Sequence, residues 1–197
     1  MTKRTGHRGY SAVNKRAERK LDCVGQGLVA ASGEAGVCFP VAPEPLVRVL
    51  DLRCCSETGP LTLRYRPQSK LFAILYDLVC EFSVAGPYAP GCMMEMVSGS
   101  AKLIGDSANA GGDPLALFPA LVENDLIEER LRLLGVTQAS AAYDSCSGAW
   151  RVSVSLMVGS ATWNLLPPIM HLIEPSADEC LRMIELFRLL AVGIRSA

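Results

Sequence analysis

Sulfur-bearing side chains in one short segment are the first candidates for chemistry in this 197-residue chain. The segment reads Cys92-Met93-Met94-Glu95-Met96, and on a β-strand Cys92, Met94 and Met96 would share one face because side chains alternate. Thiolate and thioether donors together suit Cu(I). Methionine also fills irregular gaps in protein cores, and the sequence favours core packing over a copper site.

Histidine, the commonest general acid or base, is scarce. His7 lies in a basic N-terminal segment, and His171 is the only histidine expected within the fold. A cysteine–histidine dyad would have to pair His171 with one of three thiols, and the spacing selects none of them: Cys38, Cys146 and Cys180. The apolar run 169–173 around His171 predicts a strand on which the imidazole faces outward or is a satisfied core group. We therefore predict no catalytic residue.

Familiar catalytic motifs are missing from the sequence. There is no P-loop, no G-x-S-x-G, no H-E-x-x-H and no EF-hand loop. None of the eight cysteines forms a C-x-x-C pair, so the zinc-ribbon and thioredoxin classes are excluded. The start of the chain lacks the apolar stretch of a secretory signal, which predicts reduced thiols and a cytoplasmic location.

An uncharged segment, residues 159–168, holds the second candidate site. Trp163, Asn164, Leu165 and Leu166 follow a clear strand and precede the Pro167–Pro168 pair. A loop with tryptophan and leucine but no charge either packs on its own domain or docks on a partner. We predict these four residues as a partner-binding site, with a structural crossover as the alternative.

Charge is distributed unevenly along the chain. Residues 1–20 carry seven Lys or Arg against Glu18, which leaves 12 basic and 19 acidic residues in the remainder. The acidic body argues against nucleic-acid binding, which requires clustered positive charge. Residues 1–10 are predicted to form a flexible basic arm. The longest uncharged stretch begins with strand-like alternation, so no membrane span is predicted.

The predicted elements define an α+β fold: a mostly antiparallel sheet with helices packed on a face and a capped C-terminal helix. Residues 11–197 form one domain, whose first helix starts at Ser11. Ser176 and Glu179 form the capping box of the last helix. The remaining predictions are strands Leu46–Arg53, Leu61–Arg66, Lys70–Val84, Cys92–Val97, Ala101–Ile104, Val136–Tyr143 and Trp150–Val158, a helix capped by Asp113 and kinked at Pro119, and a helix from Asp125 to Leu134.

The last third of the chain resembles the small partner subunit of methanobactin-maturation enzymes. The resemblance rests on Trp150 leading a strand into Gly159–Ser160, then Leu166-Pro167-Pro168 and the capped terminal helix. In that family a separate barrel-type subunit holds iron and oxidises cysteines of a precursor peptide, and the small subunit is similar to an adaptor. The resemblance implies a heterodimer in which this chain contacts the peptide and carries no cofactor.

Three hypotheses follow from the sequence. The first is a non-catalytic accessory subunit that binds a peptide or protein, for which a free sheet edge would permit strand addition. The second is a copper-binding protein that uses Cys92, Met94 and Met96. The third is an enzyme that uses His171 and a thiol.

Overall fold

The computed structural model describes residues 6–33, 37–41, 44–52, 59–88, 92–97, 100–105 and 124–196. These residues form three helices and nine strands. The helices are α1 (Gly6–Ala31), α2 (Asp125–Leu133) and α3 (Ala177–Arg195). The strands are β1 (Val37–Val41), β2 (Glu44–Asp51), β3 (Leu61–Ser69), β4 (Ala73–Val84), β5 (Cys92–Val97), β6 (Ser100–Gly105), β7 (Val136–Asp144), β8 (Ala149–Asn164) and β9 (Met170–Leu172).

The strands form one sheet in the order β1-β2-β3-β4-β8-β7-β5-β6, and β9 also pairs with β8. Every observed strand pair is antiparallel, as expected where hairpins connect most neighbours. The helices contact one face of this sheet and one another, with α1 against β2 and against α3. The predicted α+β class is therefore confirmed.

Alternating apolar residues explain how the sheet makes its core. In β4 the even-numbered residues from Tyr76 to Val84 are buried, so the strand interpretation of this ambiguous segment is confirmed. Opposite them, α1 buries a stripe at helical spacing that is fully removed from water. Its members are Ala17, Leu21, Val24 and Leu28.

The first helix begins earlier than predicted. Its first residue is Gly6, so the predicted arm of residues 1–10 is wrong for residues 6–10, and residues 1–5 lie outside the described part. Ser11 was expected to cap the helix, but the helix continues through it. The helix ends at Ala31, and Gly33 after it adopts the left-handed conformation, at φ 69°, that is typical of a helix end.

The uncharged segment 159–168 was expected to be a loop, and for its first half this is wrong. Strand β8 continues through Gly159 to Asn164 because β4 and β9 pair with this extension on either side. Strand β1 was not predicted, since Pro40 interrupts its short apolar run. The predicted helix at Asp113 and Pro119 lies outside the described residues. The capping box of α3 is present as predicted.

Candidate partner-binding site

A bulge at Gly159 divides β8 and positions everything beyond it. Tyr76 of β4 pairs with Ala161, yet Leu78 pairs with Leu156, so a single residue of β4 opposes four of β8. The Ser160 hydroxyl replaces the interrupted ladder: it accepts from the Leu78 N–H at 2.9 Å and donates to the Leu156 carbonyl at 2.6 Å. The hydroxyl therefore satisfies backbone groups that the bulge would otherwise leave unpaired.

Gly159 is required at the bulge for two reasons. Its φ of 83° lies in the left-handed region, which residues with a Cβ rarely adopt. A Cβ at this position would also stand 2.5 Å from Leu78 Cδ2, too close for two carbon atoms. The bulge turns the end of β8 so that it can pair with the short strand β9.

Strand β9 presents an open backbone edge. Ala161, Thr162 and Trp163 pair with Leu172, His171 and Met170, and the Asn164 and Ile173 N–H groups extend this ladder by bonding to the Ile169 and Ser160 carbonyls at 2.9 Å each. Since bonding alternates along an antiparallel strand, the N–H and C=O groups of Met170 and Leu172 point away from β8. In the part of the chain that the structure describes, no strand pairs with this side of β9.

Trp163 connects the end of β8 to α1. Its ring is 6% exposed, and the Arg16 guanidinium carbon lies 5.0 Å from the ring centroid. Two residues earlier, the Asn14 Oδ1 accepts a hydrogen bond from the Tyr76 hydroxyl at 3.0 Å. These two contacts place the N-terminal half of α1 beside this end of the sheet.

Exposed apolar side chains gather at the same end of the sheet, where the β3–β4 turn meets the chain that follows β8. The Leu165 N–H donates to the Phe72 carbonyl at 2.9 Å, which joins two segments more than ninety residues apart. Leu71 is 83% exposed, Phe72 64% and Leu166 81%. We call this cluster the apolar tip, and its members are Leu71, Phe72, Leu165, Leu166 and Ile169.

The structure separates the four residues predicted to bind a partner. Trp163 lies in the core and does not contribute to the exposed surface. Its side chain faces α1 because it shares the covered face with Tyr76. Asn164 is half-buried and ends β8. Leu165 and Leu166 are exposed and belong to the apolar tip. Partner binding by these residues stays a prediction, now restricted to the last two leucines and their neighbours.

The sulfur segment forms strand β5, as predicted. Met94 pairs with Ala141 and is fully buried on the helix-covered face. Strand alternation places Cys92 and Met96 on the same face, but their side chains lie outside the described set. Among the described residues, no group of three or more His, Cys, Asp or Glu side chains is arranged to hold a metal ion. The copper site stays a prediction.

The thiols proposed to pair with His171 occupy other parts of the molecule. His171 is exposed on β9, whereas Cys38 belongs to the edge strand β1 and Cys146 to the turn between β7 and β8. Burial raises the pKa of the Cys180 thiol to about 11 and, with Asp22, also raises the pKa of Cys38. Both thiols are therefore protonated near neutral pH, which makes them weak nucleophiles.

Leu71 and Phe72 were missed at the sequence level. Lys70–Val84 was interpreted as one strand, but residues 70–72 form the turn, closed by the Lys70 N–H bonded to the Ala73 carbonyl at 2.8 Å. No Gly, Asn or Asp marks this turn, so the usual signal was absent. Two adjacent apolar residues directly after a lysine, where an alternating strand would bury only one, were the available clue.

These features define an antiparallel α+β domain with an open strand edge and an exposed apolar end. Comparison with known proteins places it more specifically. A family model described as "Protein of unknown function (DUF3156)" matches residues 42–192, about three quarters of the chain. The chain belongs to this family. Neither a curated protein nor a solved structure matches it.

Proposed function

We propose that this protein is a non-catalytic accessory subunit that binds an extended segment of a peptide or protein partner along β9. The observation that carries the proposal is the open edge formed by the backbone groups of Met170 and Leu172. An added strand would pair with these groups and extend the sheet beyond β9. It would lie end to end with β5, because β9 is in line with β7 and β5 pairs with β7.

Side chains beside the edge would add specificity to the backbone pairing. Ile169 and Ile173 are exposed on either side of His171. Because alternate residues of a strand share a face, these three side chains lie on the face that the helices leave open. A partner strand with apolar residues at alternate positions would cover both isoleucines, and a polar residue between them would meet the imidazole.

The accessory role agrees with the placement of the candidate nucleophiles. Cys180 is a buried residue of α3, and Cys38 lies on β1, which β2, β3 and β4 separate from β8. In the proposed complex the partner supplies any reactive centre, and the two chains form a heterodimer in the cytoplasm. That the partner is an iron enzyme of copper-peptide maturation remains a prediction from the sequence resemblance alone.

In the part of the chain that the structure describes, no helix is long and apolar enough to cross a membrane. This finding is consistent with the sequence prediction that the chain has no membrane span. Three helices are described, and α3, the most apolar of them, carries five acidic or basic residues before Arg195.

Selection of peptides from a displayed library of random decapeptides tests the proposal. A selected peptide is synthesised, and its affinity for the wild-type protein is compared with that for Met170→Pro and Leu172→Pro. Each proline removes one outward N–H and places its ring at the edge. The hydrogen bonds to β8 are made by the alternate residues of this segment and are therefore kept. We expect each variant to lose about tenfold or more in affinity, since a hydrogen bond and the close approach are both lost.

His171→Ala is the matched control, because it changes the side chain between the two outward groups and leaves both N–H donors in place. Its affinity should stay within about threefold of wild type. Amide hydrogen exchange provides a second readout: the Met170 and Leu172 amides should slow on binding. A selected peptide that binds both proline variants as tightly as wild type would refute strand addition at β9.

A further inference from the structure

The apolar tip is built from two chain turns that project from one end of the sheet. Leu71 and Phe72 stand on the β3–β4 turn, and Leu166 stands on the chain between β8 and β9. Leu71 and Leu166 are each more than four-fifths exposed, so neighbouring atoms cover little of either side chain. A cluster of large apolar side chains left in water on adjacent turns indicates a surface that is covered in use.

Basic residues outnumber acidic residues around the apolar tip. Residues 66–76 and 159–173, which form this end of the sheet, contain none of the chain's 20 acidic residues. They contain Arg66 and Lys70, both exposed. Asp77, the next residue of β4, lies opposite Arg66 and accepts a hydrogen bond from the Gln68 side chain, and Glu174 follows Ile173. The positive charge beside the tip therefore rests on Lys70 and on the cations of α1.

Helix α1 adds further cations beside the tip. The contacts of Asn14 with Tyr76 and of Arg16 with Trp163 hold this part of the helix against the end of the sheet. Lys15, Arg16 and Arg19 are exposed there. The acids on the described part of α1 are Glu18 and Asp22, and the latter is paired with Arg48. Positive charge thus dominates the exposed surface of the helix.

From this juxtaposition we propose that the apolar tip and the basic face of α1 dock the protein on an anionic phospholipid bilayer. Phe72, Leu71 and Leu166 enter the boundary between headgroups and acyl chains, while Lys15, Arg19 and Lys70 remain at the level of the lipid phosphates. A lysine flanking an inserted turn keeps its ammonium in water while its methylene stem lies along apolar surface.

The shape of the tip favours a bilayer over a protein as the occupant. Leu71 and Leu166 are each nearly fully solvated, so a protein partner would need a separate pocket for each of them. Hydrocarbon chains adapt to any projecting shape. The phosphate-rich surface also matches the cations of Lys70 and of the basic face of α1. This inference does not depend on strand addition at β9, whose outward groups belong to residues 170 and 172.

Sedimentation with lipid vesicles tests the proposal. The full-length protein is mixed at low salt with vesicles of phosphatidylcholine alone or of phosphatidylcholine with phosphatidylserine. We expect sedimentation with the mixed vesicles only, weakening as salt is added because the attraction is screened. The double variant L71S/L166S should bind the mixed vesicles about tenfold or more weakly, since two inserted side chains are lost.

The double variant L181S/V192S is the matched control, because these α3 residues are 45% and 49% exposed and lie away from the tip. It should bind within about twofold of wild type. A second pair of variants addresses charge: K15E/R19E should lose about tenfold or more in affinity, whereas R132E on α2 should not.

Three results would overturn the proposal. The folded wild-type protein could remain in solution with phosphatidylserine vesicles at low salt. The tip variant and its control could lose binding equally, which would indicate a general change in solubility. A purified protein partner could compete for the tip while vesicles never bind, which would assign the surface to a protein interface instead.

Discussion

The two halves of strand β8, on either side of Gly159, differ in what surrounds them. Residues 149–156 lie between two long strands, β4 and β7, and their even-numbered side chains are sealed beneath the helices. Residues 161–164 lie between β4 and the three-residue β9, and lead directly into the apolar tip. One continuous strand thus belongs to the stable interior at one end and to the candidate binding surface at the other.

The two tryptophans of the chain mark this difference. Trp150 is fully buried; its indole N–H donates to the Pro87 carbonyl at 3.0 Å, and Tyr143 packs edge-on at 5.7 Å. Trp163 is also in the core, but one side of its ring packs against Arg16, a side chain that is itself exposed. The comparison shows that a buried residue need not belong to a rigid core, because the side chain that covers it can itself be exposed and mobile.

The largest expected effect concerns these two residues. Trp150→Ala should lower the free energy of unfolding by about 4–5 kcal/mol, since it opens a cavity and leaves the Pro87 carbonyl without its donor. Trp163→Ala should cost about 3 kcal/mol, because its cover can collapse into the space. Urea unfolding measures both. Equal losses would show that the two ends of β8 are equally rigid.

The bulge that separates the halves gives the second prediction. Gly159→Ala should cost about 3 kcal/mol, because it combines a left-handed backbone with a Cβ 2.5 Å from Leu78 Cδ2. Gly148→Ala is the matched control: its φ is 66°, but its nearest atom, the Tyr143 hydroxyl oxygen, lies at 3.9 Å.

The control should cost about 1 kcal/mol, the price of backbone strain alone. Thermal and urea unfolding of both variants compare the two sites. If Gly159→Ala proves no worse than Gly148→Ala, the close approach to Leu78 is relieved by movement of the strand, and the bulge does not fix the direction of β9.

Helix α1 is tied to the sheet at both regions, which leads to the third prediction. At the stable end, Arg48 is 5% exposed and its Nε lies 2.5 Å from Asp22 Oδ1, with further bonds to the Pro45 and Val47 carbonyls. Asp22→Ala should cost about 2 kcal/mol, because it leaves a buried guanidinium without its counter-charge.

The exposed pair of Arg64 and Glu44, 2.9 Å apart on the open face, is the control for that change. Glu44→Ala should cost about 0.5 kcal/mol or less, and added salt should reduce the difference further, since both partners are solvated. A similar loss for both variants in urea unfolding would mean that burial of Arg48 does not strengthen its pairing.

The face of the sheet that the helices cover was largely predictable from the sequence, whereas the candidate binding surface, formed by β9 and the apolar tip, was predictable only in part. The alternation of β4 and the helical stripe of α1 are set by apolar periodicity, which a single element carries by itself. The apolar tip instead depends on Leu165 meeting Phe72, a contact between distant segments. The extension of β8 to Asn164 likewise depends on pairing with β9: the apolar run 169–173 predicted that strand, but its pattern alone does not say which strand it pairs with.

The smallest expected effect lies at the contact between α1 and Trp163. Arg16→Ala removes a cation from above the ring, an interaction that contributes about 0.5–1 kcal/mol at an exposed site. We therefore expect a drop in unfolding free energy of that size. Arg16→Lys should recover part of this loss, because the charge is kept while the planar stacking is lost.

Hydrogen exchange should quicken in Arg16→Ala at the amides of Ala161 and Trp163 and stay unchanged at those of Val152 and Val154, since only the second half of β8 loses its contact with Arg16. If exchange quickens for both sets of amides together, β8 opens as one cooperative unit. The bulge at Gly159 would then change the direction of the strand without separating two regions of different stability.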